Sequence, residues 1–390
     1  MRELIRRIES ATPPDRDRAV DALRALAILG VVLGHWLVTA LVTDSGVLRG
    51  DSPLHHLPEF TPVSWAFQTL AVFFLVGGLV GAKSYARARA RGVRYRQWLG
   101  ARLMRLFRPV AVLLAVWTLA VVVMLAAGVD DMTLYTLCKR MLSPLWFLVV
   151  FAVLTAVTPL VAKLHPLWPL AVVLLVDLNR FVLHGPDWLD PANVVAGWLV
   201  PYCLGAAWSG GRLQSRATGW TLLLGGAAVT AGLVLWGGYP ASMVGVPGQK
   251  VSNLDPPTLA VVTFGLAQCG AALLLLGPLR RVLARPVVWA AVALANLSGM
   301  TVFLWHQTSM MAVTALALFA GDPLLGLHTP PTGVDWVLAR FAWLPVFAAA
   351  LLLCCAAFRR YEHGRRRDGG PRGRVVRQNR PAPSQPVRHA

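Results

Sequence analysis

Long apolar runs separated by short polar segments set the pattern of this chain, and each run is close to the roughly 20 residues needed to cross a hydrocarbon core. The runs fall at 19–43, 62–82, 107–128, 143–162, 164–183, 191–209, 219–237, 258–277, 287–320 and 336–358. Helices satisfy their own backbone groups in lipid, so the pattern predicts an all-α polytopic membrane protein of about ten transmembrane helices. The ninth run is too long for one untilted span and predicts an interfacial segment around Val287 to Leu294 ahead of the membrane helix proper. The longest polar stretches, 83–106 and 238–257, are too short for a second folded domain. The expected organisation is a cytoplasmic N-terminal segment (1–18), a transmembrane domain (19–358) and a disordered basic cytoplasmic tail (359–390), the last rich in Gly, Pro and Arg. No repeat in the range of about 20–50 residues and no symmetry between the halves is evident, features that many transporters show.

Composition agrees with this reading: 56% apolar residues, 14% charged residues and a mean hydropathy of +0.58 exceed what soluble domains carry. The net charge of +19, from 37 Lys and Arg against 18 Asp and Glu, would suggest nucleic acid in a soluble domain. Here the basic residues lie between apolar runs rather than on one polar surface, which excludes that partner and makes them a topology signal. With both termini cytoplasmic, the cytoplasmic segments hold 30 basic residues, and the opposite face holds only Arg49, Lys139, Arg140 and Lys250. The first apolar run extends past signal-peptide length with no cleavage site, so it is expected to be retained. Cys138, Cys203, Cys269, Cys354 and Cys355 lack metal-ligand spacing and read as buried thiols, and no metal site is expected.

Charged residues inside spans carry the functional signal, because each is costly in hydrocarbon unless it meets a partner or a water-filled cavity. They are Asp21, Arg24, Asp177, Arg180 and Arg340. In the first span Asp21, Arg24 and His35 share one helix face, and Arg24 and His35 stand about 16 Å apart along the axis. Asp21 and Arg24, three residues apart, also suit an ion pair at the interface, as do Asp177 and Arg180. With Asn179 and His306, these residues predict an internal polar cavity. The first cytoplasmic loop, KSYARARARGVRYRQWLGARLMRLFRP, suits anionic lipid or a polyanionic ligand, and Arg102 and Arg105 share a helix face at the mouth of the third span, where they suit phosphate. Trp36, Trp146, Trp198 and Trp305 suit either a cavity lining or packing, and Gly77, Gly78 and Gly81 suit close helix packing.

These segments together resemble the acyltransferase-3 family of multi-span membrane acyltransferases. RAVDALRALAILGVVLGHW is similar to the family's first helix, with its Arg, ten residues, His signature at Arg24 and His35. AVFFLVGGLV resembles the second helix, and RLMRLFRP the Arg-x-x-Arg entry to the third. SPLWFLVVF around Trp146, YCLGAAWSGG around Gly205 and LSGMTVFLWHQTSM around His306 resemble later landmarks, so the likeness covers about 17–358. Two departures stand out. Gly77-Gly78 replaces the Ser-Gly of many members, and no hydrolase-like domain follows the tenth span as it does in some, so a large glycan substrate implies an envelope-biosynthesis partner.

The resemblance implies transfer of a short acyl group, acetyl in the simplest case, from cytoplasmic acyl-CoA to a hydroxyl of a carbohydrate or glycosylated metabolite at the plasma membrane. Acyl-CoA is then a co-substrate, and no cofactor is permanently bound. It further implies that Arg102, Arg105 and Arg24 hold the donor, that His35 is the general base or forms an acyl-His intermediate, and that Asp21 orients Arg24. His306, Arg180, Asp177 and Trp146 are the expected acceptor-binding residues; membrane lipids and a second copy of the chain are the other expected partners. A transporter or flippase for an anionic or lipid-linked solute, and a scaffold whose basic loop binds anionic lipid, are the alternatives that the same charges allow.

Overall fold

The computed structural model describes residues 2–362; most of the expected tail lies outside them. Among the described residues, thirteen helices of nine or more residues and one hairpin carry the fold, with shorter helical turns between them. They are α1 (Arg2–Ser10), α2 (Arg18–Val38), β1 (Ala40–Asp44), β2 (Val47–Asp51), α3 (Leu70–Ala90), α4 (Tyr95–Ala126), α5 (Asp131–Leu142), α6 (Leu145–Ala156), α7 (Leu167–Phe181), α8 (Ala192–Ser209), α9 (Arg216–Leu235), α10 (Leu259–Val282), α11 (Pro286–Leu297), α12 (Gly299–Ala317) and α13 (Val334–Glu362). Eight helical segments are long and apolar enough to cross a membrane. Exposed Leu and Val on α4, α9 and α13, such as Leu119, Val122, Leu224, Leu352 and Leu353, form apolar faces that a water-soluble fold would bury.

Several expected runs resolve differently, each for a physical reason. Run 164–183 becomes the 15-residue α7, which stops where His184 takes a positive φ ahead of Gly185-Pro186. Run 191–209 becomes the 18-residue α8, whose apolarity is diluted because it is buried on nearly every side and uses Asn193, Gly197, Pro201 and Gly205 there. Run 143–162 starts at the break between α5 and α6 and is interrupted again at Val157, and the candidate span there, Asp131–Ala156, covers α5 and α6 together. The ninth run splits at Ser298 into α11 and α12, as its length required.

The helix of the first run ends at Val38, five residues before the run does, and a two-stranded antiparallel hairpin follows, so the fold is not purely helical. β-branched Val38, Thr39, Val42 and Thr43 favour extended backbone, and Ser45 and Gly46, both at positive φ, form the two-residue turn that matches strand twist. The hairpin is pinned by Thr43 N–H donating to the His328 carbonyl (2.9 Å) and by Leu48 N–H donating to Thr133 Oγ1 (3.0 Å).

Small residues let the central helices meet at backbone distance. A Cβ on Gly78 of α3 would fall on the Tyr202 carbonyl of α8, and one on Gly205 would fall on the Leu75 carbonyl. α9 and α10 repeat the device at Gly226, where a Cβ would lie 2.6 Å from the Thr263 carbonyl. Asp177 closes the other side: its carboxylate accepts from Asn193 Nδ2 (2.9 Å), the Tyr239 hydroxyl (3.0 Å) and the Leu259 N–H that opens α10 (2.6 Å). At the chain's end Glu362 caps α12 through the N–H groups of Met300 (3.1 Å) and Thr301 (3.2 Å).

Gly78→Val is expected to force α3 from α8 and lower unfolding free energy by about 3 kcal/mol. Gly100→Ala, at a helical position with open space around the added methyl, is expected to be neutral or stabilising by up to about 1 kcal/mol. Thermal unfolding in detergent compares them, and equal melting temperatures would refute the close-packed crossing.

Candidate functional site

Helix α2 connects two features at opposite ends. At its far end His35, with Val31, Gly34 and Val38, lines a cavity of about 760 Å³. The other walls come from Gln68 and Thr69 ahead of α3, from Cys138, Lys139 and Arg140 of α5, from Trp146 and Phe147 of α6, and from the 238–258 segment through Val244 and Asp255. This segment is folded onto buried Asn253, whose amide donates to the carbonyls of Pro240 (2.6 Å) and Ser242 (2.9 Å).

His35 is held from behind. Its Nδ1 lies 2.9 Å from Gln307 Nε2, and its ring centroid lies 5.1 Å from that of His306. His306 is fully buried, outside the cavity lining; its Nδ1 donates to the Phe303 carbonyl at 2.6 Å, and its Nε2 has no hydrogen-bond partner among the described residues. The adjoining Trp36 ties the two helices, since its indole N–H donates to the His306 carbonyl at 2.9 Å. Arg340 completes the backing: Nε donates to the Trp36 carbonyl (2.6 Å), Nη2 to Thr39 (2.6 Å) and Nη1 to Gly326 (2.8 Å).

At the near end of α2 the arginines gather. Arg24 is half-buried and makes no hydrogen bond or ion pair with a described residue, although the charges of Glu362 and Asp21 reach it. Arg102 lies against the Trp98 ring, donates to the Val80 carbonyl at 3.3 Å and feels the charges of both Arg105 and Arg24. Three arginines without a bound carboxylate form a place for a polyanion. The cavity lining stops at Val31, about 10 Å along the axis from Arg24.

The expected pairings are corrected in two places. Asp21 is taken by Arg16 (Nε to Oδ2 2.6 Å, Nη2 to Oδ1 3.1 Å), because Arg16 reaches back over the first turn while Arg24 sits one turn deeper. Arg180 pairs with Asp190 at 3.2 Å rather than with Asp177, which is occupied at the α10 start. Of the four expected acceptor-binding residues, Trp146 lines the cavity, whereas His306, Arg180 and Asp177 do not. Gln307, against His35 Nδ1, and Arg140, in the cavity lining, join the site without a distinct sequence signal: Gln307 only adjoins His306, and Arg140 is one of four basic residues on the cation-poor side.

The acyltransferase domain model matches residues 17–359, which is most of the chain. The chain belongs to the acyltransferase-3 family. It is therefore a membrane acyltransferase. No curated protein and no solved structure matches the chain.

With His35 in the cavity and His306 behind it, diethyl pyrocarbonate is expected to modify His35 and spare His306. Gln307→Leu removes one hydrogen bond of about 1 kcal/mol, so the His35 rate should rise roughly fivefold. Peptide mass spectrometry reads both sites, and rapid modification of His306 in the folded protein would contradict the arrangement.

Proposed function

We propose that the protein transfers a short acyl group, acetyl in the first instance, from acyl-CoA to a hydroxyl of a carbohydrate or glycosylated metabolite at the plasma membrane. The observation that carries this reading is that one helix presents His35 to a closed-backed cavity and, eleven residues earlier, presents Arg24 to Arg102 and Arg105. The strong cation bias favours ten crossings, counting α7 and α8, with both termini cytoplasmic. The arginine end then faces the cytoplasmic pool of acyl-CoA, and the cavity lies toward the other face.

In this reading Arg24, Arg102 and Arg105 hold the donor's phosphates, and the extended pantetheine arm runs along α2 toward His35. The acceptor hydroxyl sits in the cavity beside the nitrogen that Gln307 leaves free, Nε2. For Nε2 to take a proton, Nδ1 must carry one, so Gln307 presents its amide oxygen to Nδ1–H; the amide nitrogen and oxygen exchange places by a half-turn. The hydroxyl oxygen attacks the thioester carbonyl as its proton passes to Nε2, the C–O bond forms, the C–S bond breaks, and the proton moves on to the thiolate leaving group. Ester and CoA thiol are the products. Trp146 offers an aromatic face for the sugar, and Arg340 keeps the base in place through Trp36.

The test uses purified protein in nanodiscs with radiolabelled acetyl-CoA and a panel of sugar acceptors. His35→Ala is expected to lower transfer by about 10²–10⁴-fold, and Arg24→Ala to raise the KM for acetyl-CoA with less effect on kcat. Both must retain the wild-type melting temperature. Donor-independent solute flux in liposomes, with no donor binding, would replace this reading with transport.

A further inference from the structure

The proposed reaction leaves the two cations of the cavity, Lys139 and Arg140, without a task. Arg140 lines the same cavity as His35, and its guanidinium makes no hydrogen bond or ion pair with a described residue. The carboxylate whose charge reaches it, Asp51, is already engaged by His56 Nε2 (2.8 Å) and the Ser52 N–H (2.7 Å). Room for the guanidinium is made by Gly50 of β2, where a Cβ would fall on Nη2. Lys139, next to it, lines the cavity too, and Asp255 is the single carboxylate among the lining residues. In the proposed orientation only four basic residues face outward, and two of them are here.

A half-buried, unpaired guanidinium costs free energy that a neutral ligand would not recover, whereas a carboxylate or phosphate fits its fork with two parallel hydrogen bonds. We propose that Arg140 binds an anionic group on the acceptor, so that the hydroxyl acylated at His35 belongs to an acidic sugar or a sugar phosphate. This rests on the proposed acyl transfer and names its substrate class. Gly50 clears the space, Lys139 adds charge at the same wall, and the charge of Arg140 is felt at the His35 ring, so anion and reacting hydroxyl share one cavity.

The test compares methyl glucoside with methyl glucuronide and with methyl glucoside 6-phosphate as acceptors of radiolabelled acetyl groups. The two anions tell a carboxylate-bearing from a phosphate-bearing acceptor apart. Wild type is expected to favour at least one anion over the neutral glucoside by about tenfold or more in kcat/KM. Arg140→Gln should collapse that ratio toward one, Arg140→Lys should keep part of it, and Gly50→Ala, which leaves the arginine in place but crowds it, should shift the ratio in the same direction. Equal use of neutral and anionic sugars by wild type would overturn the inference while leaving the transfer reading intact. An equal loss with all acceptors in Arg140→Gln would also overturn it and make Arg140 a stabiliser of the reaction's oxyanion. If wild type acetylates none of them, saturation-transfer NMR without donor decides: binding of an anionic sugar that Arg140→Gln abolishes supports the inference, and absence of binding in wild type overturns it.

Discussion

A guanidinium without a carboxylate fixes the end of the helix on which the site depends. The last carbonyls of α2 have no partner in their own helix, and a buried cation at a helix C-terminus meets both the unsatisfied oxygens and the negative end of the dipole. Arg340 does this from α13, spreading its donors over the carbonyls of Trp36, Thr39 and Gly326, between the rings of Trp336 (5.3 Å) and Phe347 (4.7 Å). Each orphaned carbonyl would cost about 1–3 kcal/mol. His35 immediately precedes Trp36, so the position of its ring follows from a bond made one residue away. Trp36 in turn holds the His306 carbonyl, which sets the register of α12 and brings Gln307 to Nδ1.

The arginines of the interior fall into two kinds, and the difference lies in their partners rather than their burial. Arg340 donates to three fixed carbonyls and Arg180 is paired with Asp190, so both have their charge answered within the fold. Arg24 and Arg140 are not answered in this way among the described residues. A fold that spends charge in a membrane without pairing it has placed that charge for something that arrives. In the proposed reaction Arg24 meets the donor at one end of α2 and Arg140 meets the acceptor in the cavity that His35 lines at the other.

Much of this was legible in the chain. The apolar runs located most of the spanning helices, the excess length of the ninth run required its break, and the eleven-residue interval set Arg24 and His35 on one face because helical periodicity leaves little choice. What escaped notice depended on contacts between distant segments. Nothing local distinguishes Gln307 from any other polar residue in a span; it matters because α12 crosses α2 at Trp36. Asp177 and Arg180 suit each other by spacing, yet the N-terminus of α10, 82 residues away, offers Asp177 a better donor. The hairpin was hidden because apolar β-branched residues extend a hydrophobic run without extending its helix. Helix α8 shows the converse: a central helix among other helices needs small and polar residues for packing, which weakens the hydropathy by which spans are found.

Between Arg24 and His35, α2 packs closely against the segment ahead of α3 at Gly30 and Gly34. Thr69 donates to the Ala27 carbonyl at 2.7 Å and packs against Gly30. A larger residue at position 30 would occupy the place of the threonine, so glycine there keeps α2 and the segment before α3 in contact. The Thr69 hydrogen bond contributes about 1 kcal/mol to this contact and lies apart from the Arg340 anchor beyond His35.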